Sequence, residues 1–159
     1  MQIYLLRHGI AEDAGPGTPD SARALTHEGR DKLRRVLHRA HEAGVSPSLI
    51  LSSPYKRALQ TAAVAAEVLS YSANILKTEA LVPNASPFDT WSEICSHAGE
   101  EAILLASHEP LMSSLAAYLM ASPALTIDMK KAALLRVDCE RIGRDPKGVL
   151  KWMLTPATA

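Results

Sequence analysis

The chain has 159 residues, 47% of them hydrophobic and 21% charged, a balance typical of one globular domain and unlike that of a disordered segment. Because 17 Lys and Arg residues offset 17 Asp and Glu residues, the sequence lacks the basic excess of a nucleic-acid-binding protein and has no general attraction to anionic membranes. The two cysteines, Cys95 and Cys139, fit no zinc-binding or disulfide-rich pattern, and the short apolar run before Arg7 is no signal peptide. We therefore expect one cytoplasmic domain over residues 1–159, with no nucleic-acid or membrane partner.

Apolar periodicity predicts strands and helices that alternate along the chain. Residues 2–6 form a nearly continuous apolar run, which indicates a central strand buried on both faces. A long loop follows over residues 10–25, and Thr26 is a suitable N-cap for a helix that ends at Gly44. The remaining predicted elements are a strand at 48–52, a helix after Pro54, a weak edge strand at 74–79, a helix at 87–97, a strand at 102–107, a helix at 110–120, and a hairpin of strands 132–137 and 149–154.

Two predictions concern how these elements pack. The alternation of strands and helices favours an α/β fold, a three-layer sandwich in which helices flank a mostly parallel central sheet, with a β-hairpin at the C-terminal end. In the helix after Pro54, the 3.6-residue spacing predicts a buried face made of Leu59, Ala62, Ala63, Ala66 and Leu69.

Residues suited to phosphoryl chemistry follow three of the predicted strands. They are Arg7-His8-Gly9, the segment 52–57 that ends in Arg57, and the segment 107–110 that contains His108. Ligands of an open α/β sheet bind at the carboxyl ends of its strands, so we expect these side chains to converge there. Helices begin shortly after the second and third segments, and their N-terminal N–H groups, together with guanidinium groups, suit a phosphoryl ligand.

The imidazole of His8 is the candidate nucleophile, and this role requires its neutral form. Burial and neighbouring arginines both lower the pKa of a histidine. A backbone carbonyl after Gly9 is a candidate to hold the ring nitrogen that does not attack. We expect activity to fall below about pH 6, where an ordinary histidine becomes protonated.

Four segments carry motifs that occur together, in this order, in one known family. Arg7-His8-Gly9 follows the N-terminal strand, residues 23–29 read R-x-L-T-x-x-G, residues 52–61 read S-x-x-x-x-R-A-x-Q-T, and residues 107–110 read S-H-x-P. This set resembles the signatures of the histidine phosphatase superfamily, also called the phosphoglycerate mutase-like family. Larger members insert a cap between the motif that matches residues 52–61 and the motif that matches residues 107–110. Here the chain between these two motifs is too short to form such a cap. The chain therefore looks most like the SixA-type phosphohistidine phosphatase branch.

The resemblance implies a role for each of five residues. His8 would attack phosphorus and become phosphorylated, Arg7 and Arg57 would bind the equatorial oxygens, and His108 would hydrogen-bond the same phosphoryl group. Arg23 would reach the site from the long loop as a further substrate-binding residue. Water would then release inorganic phosphate, with no metal ion or other cofactor. The implied substrates are phosphorylated histidine-containing proteins, such as the phosphotransfer domains of signal transduction.

Two other functions fit the same residues. The chain could instead hydrolyse small phosphomonoesters, whose alkoxide leaving group needs a proton donor, whereas a phosphorylated imidazole leaves more easily. The candidate donors are Glu79, Asp89, Glu93, Glu100 and Glu109. The chain could also be a binding module for phosphohistidine without turnover, but binding alone needs no nucleophile.

Overall fold

The computed structural model describes residues 1–159 and contains one six-stranded mixed sheet. Its strands are β1 (Gln2–Arg7), β2 (Leu49–Ser52), β3 (Leu76–Lys77), β4 (Ala102–Ser107), β5 (Leu134–Cys139) and β6 (Gly148–Leu154). They lie in the order β3-β2-β4-β1-β5-β6. Strands β1 to β4 are parallel to one another, β5 is antiparallel to β1, and β6 pairs with β5 as the C-terminal hairpin. The predicted α/β class, the mostly parallel sheet and the hairpin are therefore confirmed.

Four helices cover the two faces of the sheet. They are α1 (His27–Glu42), α2 (Lys56–Val68), α3 (Pro87–Cys95) and α4 (Leu111–Leu119), with short 3-10 turns at Asp20–Ala22 and Glu79–Leu81. One apolar core joins one face of the sheet to α3 and α4, and a second joins the opposite face to α1 and α2. Successive residues of β1 alternate between these cores, which makes three layers. None of the helices combines the length and the apolar character needed to cross a lipid bilayer.

The register of the parallel strands brings the motif segments to one edge of the sheet. Arg7 lies opposite Ser107, and Ser52 lies opposite Ala106. The ladder continues past the strand ends, because His8 N–H donates to the Ser107 carbonyl at 2.9 Å. Each chain segment that leaves this edge therefore starts beside the others, as expected for the carboxyl ends of parallel strands.

The predicted buried face of α2 is partly wrong. Ala62 and Leu69 are buried, but Ala63 is exposed and Leu59 and Ala66 are only half-buried. The residues of α2 that are buried are Arg57, Ala58, Thr61, Ala62, Val64, Ala65 and Val68. Two of them are polar because this face also lines the site described below. The face of α2 that hydrophobicity alone predicts to be buried therefore lies next to the face that is buried in the structure.

The start of α1 is packed directly against the chain that leaves β1. Thr26 is its N-cap, as predicted, and its hydroxyl accepts a hydrogen bond from Gly29 N–H at 2.9 Å. A Cβ atom on Gly29 would overlap the Ile10 carbonyl oxygen and would lie 2.9 Å from the Ile10 nitrogen. Gly9 also approaches this helix closely, though less so, because a Cβ there would lie 3.1 Å from the Gly29 carbonyl oxygen. The T-x-x-G pattern therefore caps the helix and allows its close approach to the loop.

We predict that Gly29→Ala destabilises the protein, although the same change normally stabilises a helix by about 1 kcal/mol. The added methyl group meets backbone atoms that cannot rotate away, and overpacking of this kind costs about 1–3 kcal/mol. Urea denaturation monitored by circular dichroism measures the change. Gly99→Ala is the control, because nothing lies within 4 Å of a Cβ atom at that position. Equal stabilities for the two variants would contradict this packing.

Candidate active site

The imidazole of His8 is held in one tautomer by two hydrogen bonds. Its Nδ1 lies 2.7 Å from the Gly9 carbonyl oxygen, which can only accept, so Nδ1 carries a hydrogen. Its Nε2 lies 3.3 Å from Nε of Arg57, which can only donate, so Nε2 presents its lone pair. The ring is therefore neutral, with the basic nitrogen directed toward Arg57. The sequence predicts a backbone carbonyl as the acceptor but places it in the loop after Gly9, whereas the acceptor is the carbonyl of Gly9 itself.

The electrostatic surroundings of His8 favour this neutral form. Burial is the largest effect and lowers its pKa to about 4, and the charges of Arg57, Arg7 and Lys131 act in the same direction. The Gly9 carbonyl opposes them because it also stabilises the protonated ring. The side chain is only 7% exposed. The neutral ring of His8, and the activity that depends on it, should therefore be lost at a lower pH than the value of about 6 expected from the sequence.

His108 lies beside His8, with the two ring centroids 5.2 Å apart. Its Nε2 is 2.8 Å from the Ser53 hydroxyl, and the ring of Tyr55 meets it edge-on with a centroid distance of 5.0 Å. Burial lowers the pKa of His108 to about 3, and the charges of His8, Arg57 and Arg7 contribute. Both histidines are therefore neutral near pH 7. A bound phosphate dianion would raise the pKa of His108, because a nearby negative charge favours the imidazolium.

Two buried side-chain nitrogens in the protein have no hydrogen-bond partner, and both belong to this site. They are Nε of Arg7 and Nδ1 of His108. The guanidinium of Arg7 is otherwise anchored, since Nη1 donates to the Met129 carbonyl at 2.8 Å. Buried polar groups are nearly always paired, and a native exception calls for an explanation such as a ligand. An oxyanion bound near His8 would supply acceptors for these two groups.

Arg57 is only 4% exposed, and its guanidinium connects His8 to the long loop. Its Nη1 donates to the Asp20 carbonyl at 2.8 Å, and Nη2 donates to the Asp20 carboxylate at 3.1 Å. Arg23 donates to the other oxygen of that carboxylate at 2.9 Å and to the Glu12 carbonyl at 2.7 Å. Arg23 therefore binds Asp20 and makes no hydrogen bond to His8, Arg57 or His108. These two arginines lower the pKa of Asp20, which keeps it ionised and unsuited to proton donation.

Thr61 links the loop after β1 to α2, and the sequence analysis does not identify it as a site residue. Its hydroxyl accepts from Gly9 N–H at 3.2 Å and donates to the Arg57 carbonyl at 2.8 Å. Asp20, Ser53 and Tyr55 were omitted as well. Thr61, Ser53 and Tyr55 all lie within the motif at residues 52–61. Membership of that motif is therefore the sequence signal that could have identified them.

The candidate proton donors differ in how firmly they are held elsewhere. The carboxylate of Glu109 accepts two hydrogen bonds from Ser113, at 2.8 and 2.7 Å. Asp89 accepts from Ser86 at 2.8 Å, and Glu93 contacts His97 at 3.3 Å. Glu79 is exposed and has no such partner, and its 3-10 turn adjoins the site edge because the Ser107 hydroxyl donates to the Leu81 carbonyl at 2.6 Å. Glu100 also lacks a side-chain partner, but it precedes β4 and so lies at the opposite end of the sheet. Of the five carboxylates, Glu79 is thus the unpaired one that lies beside the site.

The comparisons with known proteins agree with this geometry. The sequence profile of the histidine phosphatase superfamily (branch 1) matches residues 3–82. The chain belongs to the histidine phosphatase superfamily. An uncharacterized protein of Picosynechococcus sp. is 30% identical over 137 residues, which cover 85% of this chain and 83% of that protein. Phosphohistidine phosphatase SixA of Escherichia coli strain K12 is 28% identical over 163 residues, which cover 98% of this chain and 94% of that protein.

A solved structure extends the similarity to three dimensions. The complex of the protein histidine phosphatase SixA with tungstate superimposes with a TM-score of 0.85 at 27% identity, over 99% of this chain and 98% of that one. The sequence and structural similarities together place the chain in the SixA-type branch, as the motifs predicted. They support a phosphatase activity for it. No group of three or more His, Cys, Asp or Glu residues in the structure is arranged to hold a metal ion.

We predict that Thr61→Val weakens both the fold and the activity of this SixA-type protein. The change keeps the shape of the side chain but leaves the buried Gly9 N–H without an acceptor, which costs about 1–3 kcal/mol. Displacement of the adjacent His8 should also lower kcat/KM by about tenfold or more. Denaturation and steady-state kinetics measure the two effects. Thr61→Ser, which keeps the hydroxyl, is the control, and a valine variant that behaves like it would refute the assigned link.

We also predict that His8 and His108 remain neutral when the pH is lowered from 7 to about 5. Their folded-state pKa values, about 4 and about 3, lie below the value of about 6.5 for an unfolded chain. Each therefore contributes stability that is complete above about pH 6.5 and is lost as the pH falls toward the folded value. NMR titration of the ring signals, assigned with His8→Gln and His108→Gln variants, measures this. A midpoint near 6.5 for either ring would contradict the described burial.

Proposed function

We propose that this protein is a phosphohistidine phosphatase that removes phosphate from histidine residues of other proteins through a phosphorylated His8. The observation that carries this proposal is the neutral His8 ring, whose Nε2 lone pair accepts from Arg57 Nε at 3.3 Å in a site that also holds the two unpaired nitrogens of Arg7 and His108. The name of the SixA relative and the tungstate bound in its solved structure support the assignment, because tungstate is a tetrahedral oxyanion like phosphate.

In the first step, Nε2 of His8 attacks the phosphorus atom of the substrate in line with the leaving nitrogen. The new P–N bond forms on His8 while the P–N bond to the substrate imidazole breaks. The substrate ring carries a proton on its other nitrogen, so it leaves as a neutral imidazole. On His8 the hydrogen stays on Nδ1, where the Gly9 carbonyl stabilises the positive charge that develops on the ring.

In the second step, water attacks the phosphorus of phospho-His8 and the P–Nε2 bond breaks. His8 again leaves as a neutral imidazole, because its Nδ1 already holds the hydrogen. The oxygen of water becomes the fourth phosphate oxygen, and the proton that it releases passes to solvent or to a phosphate oxygen. One hydrogen bond to Gly9 therefore serves the formation and the breakdown of the intermediate.

The remaining site residues stabilise the phosphoryl oxygens in this proposal. Arg7 offers its unpaired Nε, His108 offers its unpaired Nδ1, and Arg57 offers its Nε–H, which already points at the reacting nitrogen of His8. These donors would act on the negative charge spread over the equatorial oxygens of the transition state. Arg23 acts at a distance in this scheme, because it positions Asp20, which in turn holds the outer nitrogens of Arg57.

The expected setting follows from the proposed substrate. Phosphorylated histidine-containing proteins, such as phosphotransfer domains in signal transduction, are the proposed partners, and inorganic phosphate is the product. We place the protein in the cytoplasm, since both of its cysteines are free thiols and reducing compartments favour that form. Three of the four motif segments begin at the ends of strands of one sheet, so we treat residues 1–159 as one histidine phosphatase domain.

Glu79 favours one alternative, the hydrolysis of small phosphomonoesters. It is exposed, unpaired and on a turn beside the edge of the sheet where the motifs lie, so it is available to protonate an alkoxide leaving group. Proton donation of this kind contributes about 10²–10⁴ in rate. The two functions therefore differ in their dependence on Glu79: a phosphohistidine substrate does not need this residue, whereas a phosphomonoester substrate does.

We predict that wild-type protein dephosphorylates a histidine-phosphorylated phosphotransfer domain with a kcat/KM well above that for aryl or sugar phosphates, and that His8→Ala abolishes this turnover. A continuous phosphate assay at neutral pH measures it, because P–N bonds are acid-labile. His41→Ala, a change at an exposed histidine of α1, is the control and should remain fully active.

Two outcomes would contradict the proposal. Turnover of the phosphohistidine protein that survives His8→Ala would exclude the nucleophile. A kcat/KM that is higher for aryl or sugar phosphates and that falls about a hundredfold or more in Glu79→Gln would identify a phosphomonoesterase instead.

A further inference from the structure

A cavity of about 650 Å³ opens next to the phosphoryl site, between α1 and the segments that flank the C-terminal hairpin. Its charged lining residues are all cations: Arg7, Lys32, Arg35, Lys130 and Lys131. No carboxylate lines it. We call this cavity the cationic groove. Because the whole chain has a net charge of zero, this concentration of one sign is a property of the surface and not of the composition.

Most of this charge is not neutralised by neighbouring acids. Lys32 pairs with Glu28 at 2.8 Å and Lys130 pairs with Asp128 at 2.7 Å. Arg7, Arg35 and Lys131, by contrast, have no carboxylate within 4.0 Å. The groove therefore keeps an excess of positive charge that is available to an acidic ligand.

The cationic groove is continuous with the phosphoryl site. Arg7 lines the groove, and the residue that follows it in the chain is His8. The loop that carries Lys130 and Lys131 is tied to the nucleophile, because the next residue, Ala132, donates its N–H to the His8 carbonyl at 3.1 Å. Lys131 is near enough for its charge to lower the pKa of His8. The groove therefore lies beside the proposed nucleophile.

We propose that the cationic groove binds an acidic surface of the phosphoprotein, next to its phosphohistidine, and so selects substrates with carboxylates on that flank. This inference rests on the proposed function. A macromolecular ligand fits better than a small anion. Arg35, Lys130 and Lys131 are exposed side chains spread over a helix and a loop, as at the rim of a protein interface, whereas a small-anion subsite has buried, converging donors.

The test uses the full chain and three substrates prepared by chemical phosphorylation: free phosphohistidine, a phosphohistidine peptide flanked by glutamates, and the same peptide flanked by glutamines. We expect wild-type protein to prefer the glutamate peptide by about tenfold in kcat/KM at low salt. The preference should shrink as salt rises from about 0.1 M to about 1 M, because the Debye length falls from about 10 Å to about 3 Å.

Arg35→Glu should abolish or reverse this preference and leave turnover of free phosphohistidine unchanged. Arg141→Glu is the matched control, since Arg141 is also exposed and unpaired but follows β5 at the opposite end of the sheet. Equal hydrolysis of the two peptides by wild-type protein, or a preference that Arg35→Glu leaves intact, would overturn the groove proposal and leave the proposed function standing. Failure to hydrolyse any of the three substrates would instead overturn the proposed function, and this inference with it.

Discussion

The hydrogen bond from Nδ1 of His8 to the Gly9 carbonyl, 2.7 Å long, determines what the centre of this site can do. It places the single hydrogen of the neutral ring on the nitrogen that faces the loop and leaves Nε2 as a free base. Gly9 makes this bond only if the loop after β1 is held in place. Thr61 holds the loop on one side by accepting from the Gly9 N–H, and α1 packs against it on the other side at Gly29. The proposed nucleophile therefore depends on backbone packing as much as on its own side chain.

That hydrogen bond sets the tautomer of His8, and burial and charge set its protonation state. A histidine that is out of water and among arginines loses its proton readily, so the cations that would bind a phosphoryl group also help to keep the proposed nucleophile unprotonated. The same cations would raise affinity for an anion, which in turn favours a protonated His108. Two histidines 5.2 Å apart can thus take different roles, one as a neutral base and the other as a hydrogen-bond donor to phosphate.

The strands and the motif residues at their carboxyl ends could be predicted from the sequence. The strands are strongly apolar, and the polar motifs begin directly after them. Parallel register then brings Arg7, His8 and His108 to one edge without further information. The partners of Arg57 could not be predicted, since Asp20 reaches it through an aperiodic loop whose path depends on tertiary packing. The buried face of α2 was misjudged for a related reason, because Arg57 and Thr61 are buried for their hydrogen bonds and not for their hydrophobicity.

The most direct test of the central claim is to locate the phosphorus atom during turnover. Protein labelled with ¹⁵N, mixed with a phosphohistidine substrate and quenched rapidly at alkaline pH, can be analysed for ³¹P–¹⁵N coupling in its histidine rings. The account predicts a phosphoryl group on Nε2 of His8, with Nδ1 still carrying hydrogen. A phosphoryl group on Nδ1 of His8, on His108, or on no histidine while phosphate is being released would contradict it.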